Sequence, residues 1–191
     1  MKNKKGLIIL GVILLVVVIL AGSVIGSYNS LVENEESVAA ARADIQTQLQ
    51  RRADLIPNFV ATVKGYSDYE KETYTAVTNA RAAVSAAKSP EQMQAANEQL
   101  DGAISVWVNA ITEAYPDLKA NQNYIALQDE LAGTENRIAQ ARIKYNETAT
   151  SFNVSIRKFP TNILAGMFGF DKVELFEAAE GSENAPQVSF N

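Results

Sequence analysis

The first 28 residues carry one pattern and the rest of the chain another. From Gly6 to Tyr28 no residue is charged, and from Leu7 to Leu20 every residue except Gly11 is aliphatic. About 20 helical residues, rising 1.5 Å each, cover the roughly 30 Å hydrocarbon core of a bilayer. The pattern predicts a transmembrane anchor over residues 6–27, preceded by a short basic stretch over 1–5. Past the anchor the apolar positions recur at helical spacing. Leu31, Val38 and Ile45 stand seven apart, joined by Ala41 and Leu49. Only Gly26 separates this stripe from the anchor, so the membrane helix is expected to run on as the first helix of the soluble part.

Three further helices are expected. Asp54 is a suitable N-cap, and Pro57 would then fall in a first turn, where its missing N–H costs nothing. A turn at Arg51-Arg52-Ala53 is therefore predicted, rather than one helix kinked at Pro57. The second stripe reads Ile56, Phe59, Val60, Val63, Tyr66, Val77 and Val84, interrupted by Glu70 and Thr73. Ser89-Pro90-Glu91-Gln92 has the form of a capping box with proline at the first helical position. The third stripe follows it: Met93, Ala96, Leu100, Ala103, Ile104, Trp107 and Ile111, ending at Tyr115-Pro116. The fourth is the most regular, with Tyr124, Leu131, Ile138, Tyr145 and Phe152 strictly seven apart. Leu127, Thr134, Ala141 and Ile156 adjoin it, and Phe159-Pro160 ends it. The expected fold is all-α, an N-terminal transmembrane helix followed by a long antiparallel four-helix bundle over 28–158. An apolar segment over 159–177 would cap the bundle core or touch the membrane, and a disordered tail would fill 178–191.

Charge gives this layout an orientation. Lys2, Lys4 and Lys5 are the only charged residues before Glu33, and the remainder holds 22 acids against 14 basic residues. Positive flanks tend to stay in the cytoplasm, which places the N-terminus inside and the bundle outside. A cleaved signal peptide would share the basic start, and Ala21-Gly22-Ser23 has the small residues of a cleavage site. The apolar run exceeds the usual length of such peptides, so an uncleaved anchor is preferred. Leu20-Ala21-Gly22 also resembles the start of a lipobox, but Ser23 stands where a lipid-bearing cysteine is needed.

Composition narrows the chemistry. The chain contains neither histidine nor cysteine. That excludes disulfides, thiol nucleophiles, imidazole bases and zinc sites built on those ligands. Di-iron bundles built on Glu-x-x-His pairs are excluded likewise. A net charge of −5 argues against nucleic acid as the main partner. No phosphate-binding glycine loop is present. A carboxylate pair among the 22 acids, or a Ser-Lys dyad, stays open without sequence context to mark it. Catalytic, cofactor and metal sites are accordingly assigned to no residue.

The candidate interaction residues are Arg51, Arg52 and Asp54 at the expected turn, and Phe159, Phe168 and Phe170 in the apolar segment. The plain alternative for the first group is capping, arginines on the last carbonyls of one helix and Asp54 on the first amides of the next. The plain alternative for the phenylalanines is a lid over the open end of the core. Trp107 lies on a core stripe and reads as a packed indole. Tyr66, Tyr69 and Tyr74 read as residues flanking the core.

Several of these segments carry a resemblance. Tyr28-Asn29-Ser30-Leu31-Val32, Gln48 to Asn58, and Val63-Lys64-Gly65-Tyr66 resemble the opening of the LemA family. Ala80-Arg81, Tyr115 to Asn121, Leu127 to Leu131, Thr134 to Ala139, Ala141-Arg142, Tyr145-Asn146 and Phe159 to Asn162 continue in its order. The likeness covers residues 28 to about 177. It implies a bacterial membrane protein with one N-terminal span and a long antiparallel four-helix bundle, and it brings no catalytic residues. One LemA-like protein is tied to magnetosome membranes, which implies a part in organising the envelope. Some descriptions of the family put the short N-terminus outside the cell, against the lysine bias here. Ser67-Asp68-Tyr69-Glu70 stands where a His-Glu pair is associated with the family. The function expected is a membrane-anchored scaffold or adaptor of the bacterial cell envelope. It would hold the bilayer through residues 6–27 and bind a membrane or envelope protein, with no nucleic acid. The alternatives are a lipid-surface organiser acting through 159–170, or a hydrolase.

Overall fold

The computed structural model describes residues 2–63 and 71–177. Tyr66, the Ser67–Glu70 stretch and the tail from 178 lie outside them. Every regular element among the described residues is helical: α1 (Lys2–Val63), α2 (Lys71–Ala86), α3 (Pro90–Ala114), a 3-10 turn (Pro116–Ala120), α4 (Gln122–Ser155) and α5 (Thr161–Phe168). The all-α expectation holds, and the apolar N-terminal run continues into the next helix without a break.

The turn expected at Arg51-Arg52-Ala53 is not there. α1 passes through it and through Pro57 to Val63. The physical reason is the register of the buried face. Ile45, Leu49, Ala53, Ile56 and Phe59 are all buried and keep helical spacing across the proline. Proline inside a helix costs about 3 kcal/mol. Burying one large apolar side chain is worth about 1.5–3 kcal/mol, so Ile56 and Phe59 together outweigh it. Asp54 is thus a mid-helix residue, and the capping role expected for it and for the arginines is overturned.

The later boundaries follow their local chemistry. Ser89 is an extended N-cap whose side chain accepts from the Gln92 N–H at 3.2 Å, while the Gln92 side chain accepts from the Ser89 N–H at 3.3 Å. α3 ends at Tyr115, whose N–H bonds the Ile111 carbonyl. The 3-10 turn buries Leu118, and the Asn121 side chain accepts from the N–H groups of Asn123 and Tyr124 to open α4. Gly169, at φ 77°, takes the left-handed conformation that ends α5.

The chain divides into two compact units. The first comprises Met1–Ala41 and Glu147–Val173, the second Arg42–Asn146 and Glu174–Asn191. In the first, Leu31, Val38, Phe152, Ile156 and Ala165 are buried, and Phe152 meets Phe170 edge-on. In the second, four helical segments share a core. The Phe59 ring lies 5.0 Å from Trp107 and 5.3 Å from Tyr124. Cross-contacts give the directions. Arg52 and Phe59 of α1 meet Asp101 and Trp107 of α3, with numbers rising together. Gln50 and Asp54 meet Ser85 and Arg81 of α2, and Asp44 and Phe59 meet Lys144 and Tyr124 of α4, with numbers opposed. The four segments therefore alternate in direction along the chain.

Candidate functional site

The second unit holds a polar cluster in its core. Arg52 is 7% exposed in the C-terminal part of α1. Its guanidinium is paired with Asp101 on α3 and Glu135 on α4, and donates to the Asn97 side-chain oxygen at 3.3 Å. Asn97 in turn donates to Asp101 at 3.0 Å. One residue before Glu135, the buried Thr134 hydroxyl donates to the Leu131 carbonyl. Three helices are thus tied through one side chain. Burial pushes the Asp101 carboxyl above its ordinary range and the Arg52 guanidinium below its own, against their mutual attraction. Desolvation therefore outweighs the Coulombic gain, the usual balance for ions taken out of water. A buried pair of this kind is weak evidence for added stability.

Arg51 and Asp54 point elsewhere. Arg51 is exposed and pairs with Glu130 at 2.9 Å, a carboxylate that also takes Arg137 at 2.7 Å. Asp54 accepts from Gln50 and from Arg81. The three charged candidates, adjacent in sequence, are therefore split between core and surface. Arg51 and Asp54 remain open to solvent on the outer face of α1.

A second constellation lies where α4 meets residues 171–177. Residues 171–177 form no regular element, yet side chains of α4 hold them. In the second unit, the Asn146 side-chain amide donates to the Phe176 carbonyl and its oxygen accepts from the Phe176 N–H, both at 2.9 Å. Tyr145 donates to the Glu174 carbonyl, and Arg142 donates to the Glu177 carbonyl. The Phe176 ring lies edge-on to Tyr145 and beneath the Arg142 guanidinium. In the first unit, Asn153 makes the same two-way pairing with Val173. A primary amide reproduces the donor and acceptor of a peptide group, so each asparagine acts as one rung of a strand pairing. The available signal was two asparagines seven apart, each directly after an aromatic stripe residue.

The first unit carries the apolar surface. The aliphatic side chains from Leu7 to Leu20 are exposed, as are Val24 and Ile25. Among the described residues this is the one helix long and apolar enough to cross a membrane. It fits a single-pass membrane protein. Of the phenylalanine candidates, Phe159 is 82% exposed. Phe168 meets Tyr28 edge-on at 4.7 Å, and Phe170 lies between Tyr28 and Phe152. The apolar segment is therefore two-sided: Phe170 and Ala165 are turned inward, Phe159, Ile163 and Met167 outward, and Phe168, 54% exposed, sits at the edge with one contact to Tyr28.

Comparison with known proteins gives the chain a family. The LemA family model matches residues 41–190. That span starts later and ends later than the likeness read from the motifs. Protein LemA of Metamycoplasma hominis is 30% identical over 160 residues, covering 82% of this chain and 71% of that protein. Magnetosome protein MamQ of Magnetospirillum gryphiswaldense is 28% identical over 189 residues, covering 84% and 70%. Magnetosome protein MamQ 2 of Paramagnetospirillum magneticum is 26% identical over 175 residues, covering 78% and 64%. By its ordered motifs and by this matched span, the chain belongs to the LemA family.

Proposed function

We propose that this protein is a membrane-anchored helical scaffold of the bacterial envelope, which holds another membrane or envelope protein close to the bilayer. The observation that carries it is the exposed aliphatic surface of α1 from Leu7 to Ile25. A contiguous apolar surface of that extent is not left to water. Its length and its lack of charge match the hydrocarbon core. The same helix runs on past the apolar stretch to Val63, so the anchor leads into the soluble helices without a loop. The similarity to two magnetosome proteins supports a role tied to a membrane compartment.

In this reading the lysines hold the N-terminus in the cytoplasm and the helices beyond the span stand outside. With no native cysteine, a single S89C variant in intact cells reports the side directly. Labelling by a membrane-impermeant maleimide is expected, and labelling only after lysis would reverse the orientation. Photo-crosslinking residues at Arg51, Asp54 and Val106 test the scaffold itself. One protein adduct that recurs from a subset of these positions is expected. Adducts to lipid alone, or none from any position, would end the scaffold reading.

A further inference from the structure

The outward side of the Phe159–Met167 segment has no partner within the first unit. Phe159 is 82% exposed, Ile163 54% and Met167 72%. Ile163 and Met167 stand four apart on α5 and so share a face. Their neighbours Leu164 and Ala165 turn inward. Three large apolar side chains held out beside a packed face form a surface that something covers.

Position within the first unit identifies what covers it. Tyr28 lies three residues past Ile25, the last residue of the exposed aliphatic run. Three helical residues rise about 4.5 Å, less than one turn. The Tyr28 ring packs on Phe168 at 4.7 Å and on Phe170 at 5.9 Å. α5 is therefore fixed to α1 at the level where the apolar run ends. Tyrosine is enriched at that depth because its ring is apolar and its hydroxyl is wet. Charge agrees with the same placement. Arg157 and Lys158, both exposed, directly precede Phe159. No acid occurs from Thr148 to Phe170, in a chain whose net charge is −5. Basic residues beside an exposed apolar face are the pattern of a segment lying in the headgroup region of an anionic bilayer.

We infer that Phe159, Ile163 and Met167 insert into the same leaflet that the anchor leaves, with Arg157 and Lys158 against lipid phosphates. The segment is a second, shallow membrane contact held in place by Tyr28. It rests on the anchored reading above. Phe168 and Phe170 serve it indirectly, as the packing that fixes α5 to α1.

The test is depth measurement on the full chain in vesicles of phosphatidylcholine with one quarter phosphatidylglycerol. Spin labels go on single cysteines in V17C, F159C, I163C, M167C and S105C. Each replaces an exposed side chain, so packing is preserved. Accessibility to oxygen is compared with accessibility to an aqueous nickel chelate. The expected result is a deep label at 17, nickel accessibility several-fold lower at 159, 163 and 167 than at 105, and a free aqueous label at 105. A deep label at 17 with the three positions as open to nickel as 105 overturns the lipid contact and leaves the anchor standing. An aqueous label at 17 overturns both. Protection of the three positions in native membranes but not in pure vesicles means that a protein covers this face, and it too overturns the inference.

Discussion

The two units invert each other's ordinary chemistry. In the first, large aliphatic and aromatic side chains face outward, from Leu7 to Ile25 and again at Phe159, Ile163 and Met167. In the second, Arg52, Asn97 and Thr134 are buried among apolar helices. Both arrangements cost free energy in water if left alone, and each is resolved by a different partner. The outward apolar groups call for a medium other than water. The inward polar groups are answered within the chain, by Asp101, Glu135 and a set of hydrogen bonds, with the Arg52 Nε left without an acceptor. The first unit offers its apolar groups outward, whereas the second answers its buried cation from within, out of two neighbouring helices.

The largest effect comes from breaking the outward half of that contrast. An arginine at the centre of a span costs about 2.5–3.5 kcal/mol on insertion scales. The double variant L14R/V17R is therefore expected to move the protein from the carbonate-resistant membrane fraction to the soluble or aggregated fraction. Unchanged membrane retention would show that the exposed run is not the anchor.

The inward half breaks next. Arg52→Ala strands Asp101 and Glu135 without their cation. Removing one member of a fully buried pair costs about 3–5 kcal/mol. Glu135 is nearly half-exposed, so a loss of roughly 2–3 kcal/mol by urea denaturation is the expectation here. The contrast sharpens with R52M/D101L/E135Q, which removes the cation and both of its carboxylates and is expected to fall within about 1 kcal/mol of the native chain. If the triple variant is as damaged as the single one, the cluster contributes stability.

A smaller, local loss is expected from Asn146→Ala. Each of its two hydrogen bonds to Phe176 is worth about 1 kcal/mol net. Hydrogen exchange at the Phe176 amide should accelerate roughly 30-fold while the α3 core amides keep their rates. Equal acceleration everywhere would mean that the segment is part of the global fold and not a docked addition.

The smallest effect is in pH. The folded Asp101 carboxyl titrates above the ordinary value of 3.8. The folded state therefore binds that proton more tightly than the unfolded chain does. Stability from this group is present in acid and is lost as pH rises through the folded value. On acidification from neutrality toward 3.8, the native chain is expected to gain stability relative to Asp101→Asn. A flat difference between the two across that window would contradict the direction of the shift.

Much of this fold was legible from spacing. Leu31, Val38, Ile45 and the series from Tyr124 to Phe152 are buried as their seven-residue interval requires. Ser89 caps α3 because three neighbouring residues suffice to specify that geometry. The boundary at residues 51–54 was misplaced because local signals compete with packing. Two arginines, an aspartate and a nearby proline look like punctuation when read along the chain. Their charges are instead answered from α2, α3 and α4 by Arg81, Asp101 and Glu130. Partners 27 to 79 residues away leave no trace in a local window. The two faces of the Phe159–Phe170 segment were hidden for a related reason. Composition marks it as apolar, but only contact with Tyr28 and Phe152 decides which rings turn inward.

The asparagine rungs have a consequence for how this chain tolerates change. Asn146, Asn153, Tyr145 and Arg142 grip the peptide groups of residues 173 to 177 rather than their side chains. Phe176 has its ring seated and Val173 is half-buried, while the side chains of Glu174 and Leu175 are exposed. The code for holding the segment is therefore written more in the helix than in the segment held. Sequence drift at Glu174 and Leu175 should leave the attachment intact, while an altered amide at 146 or 153 would loosen it locally.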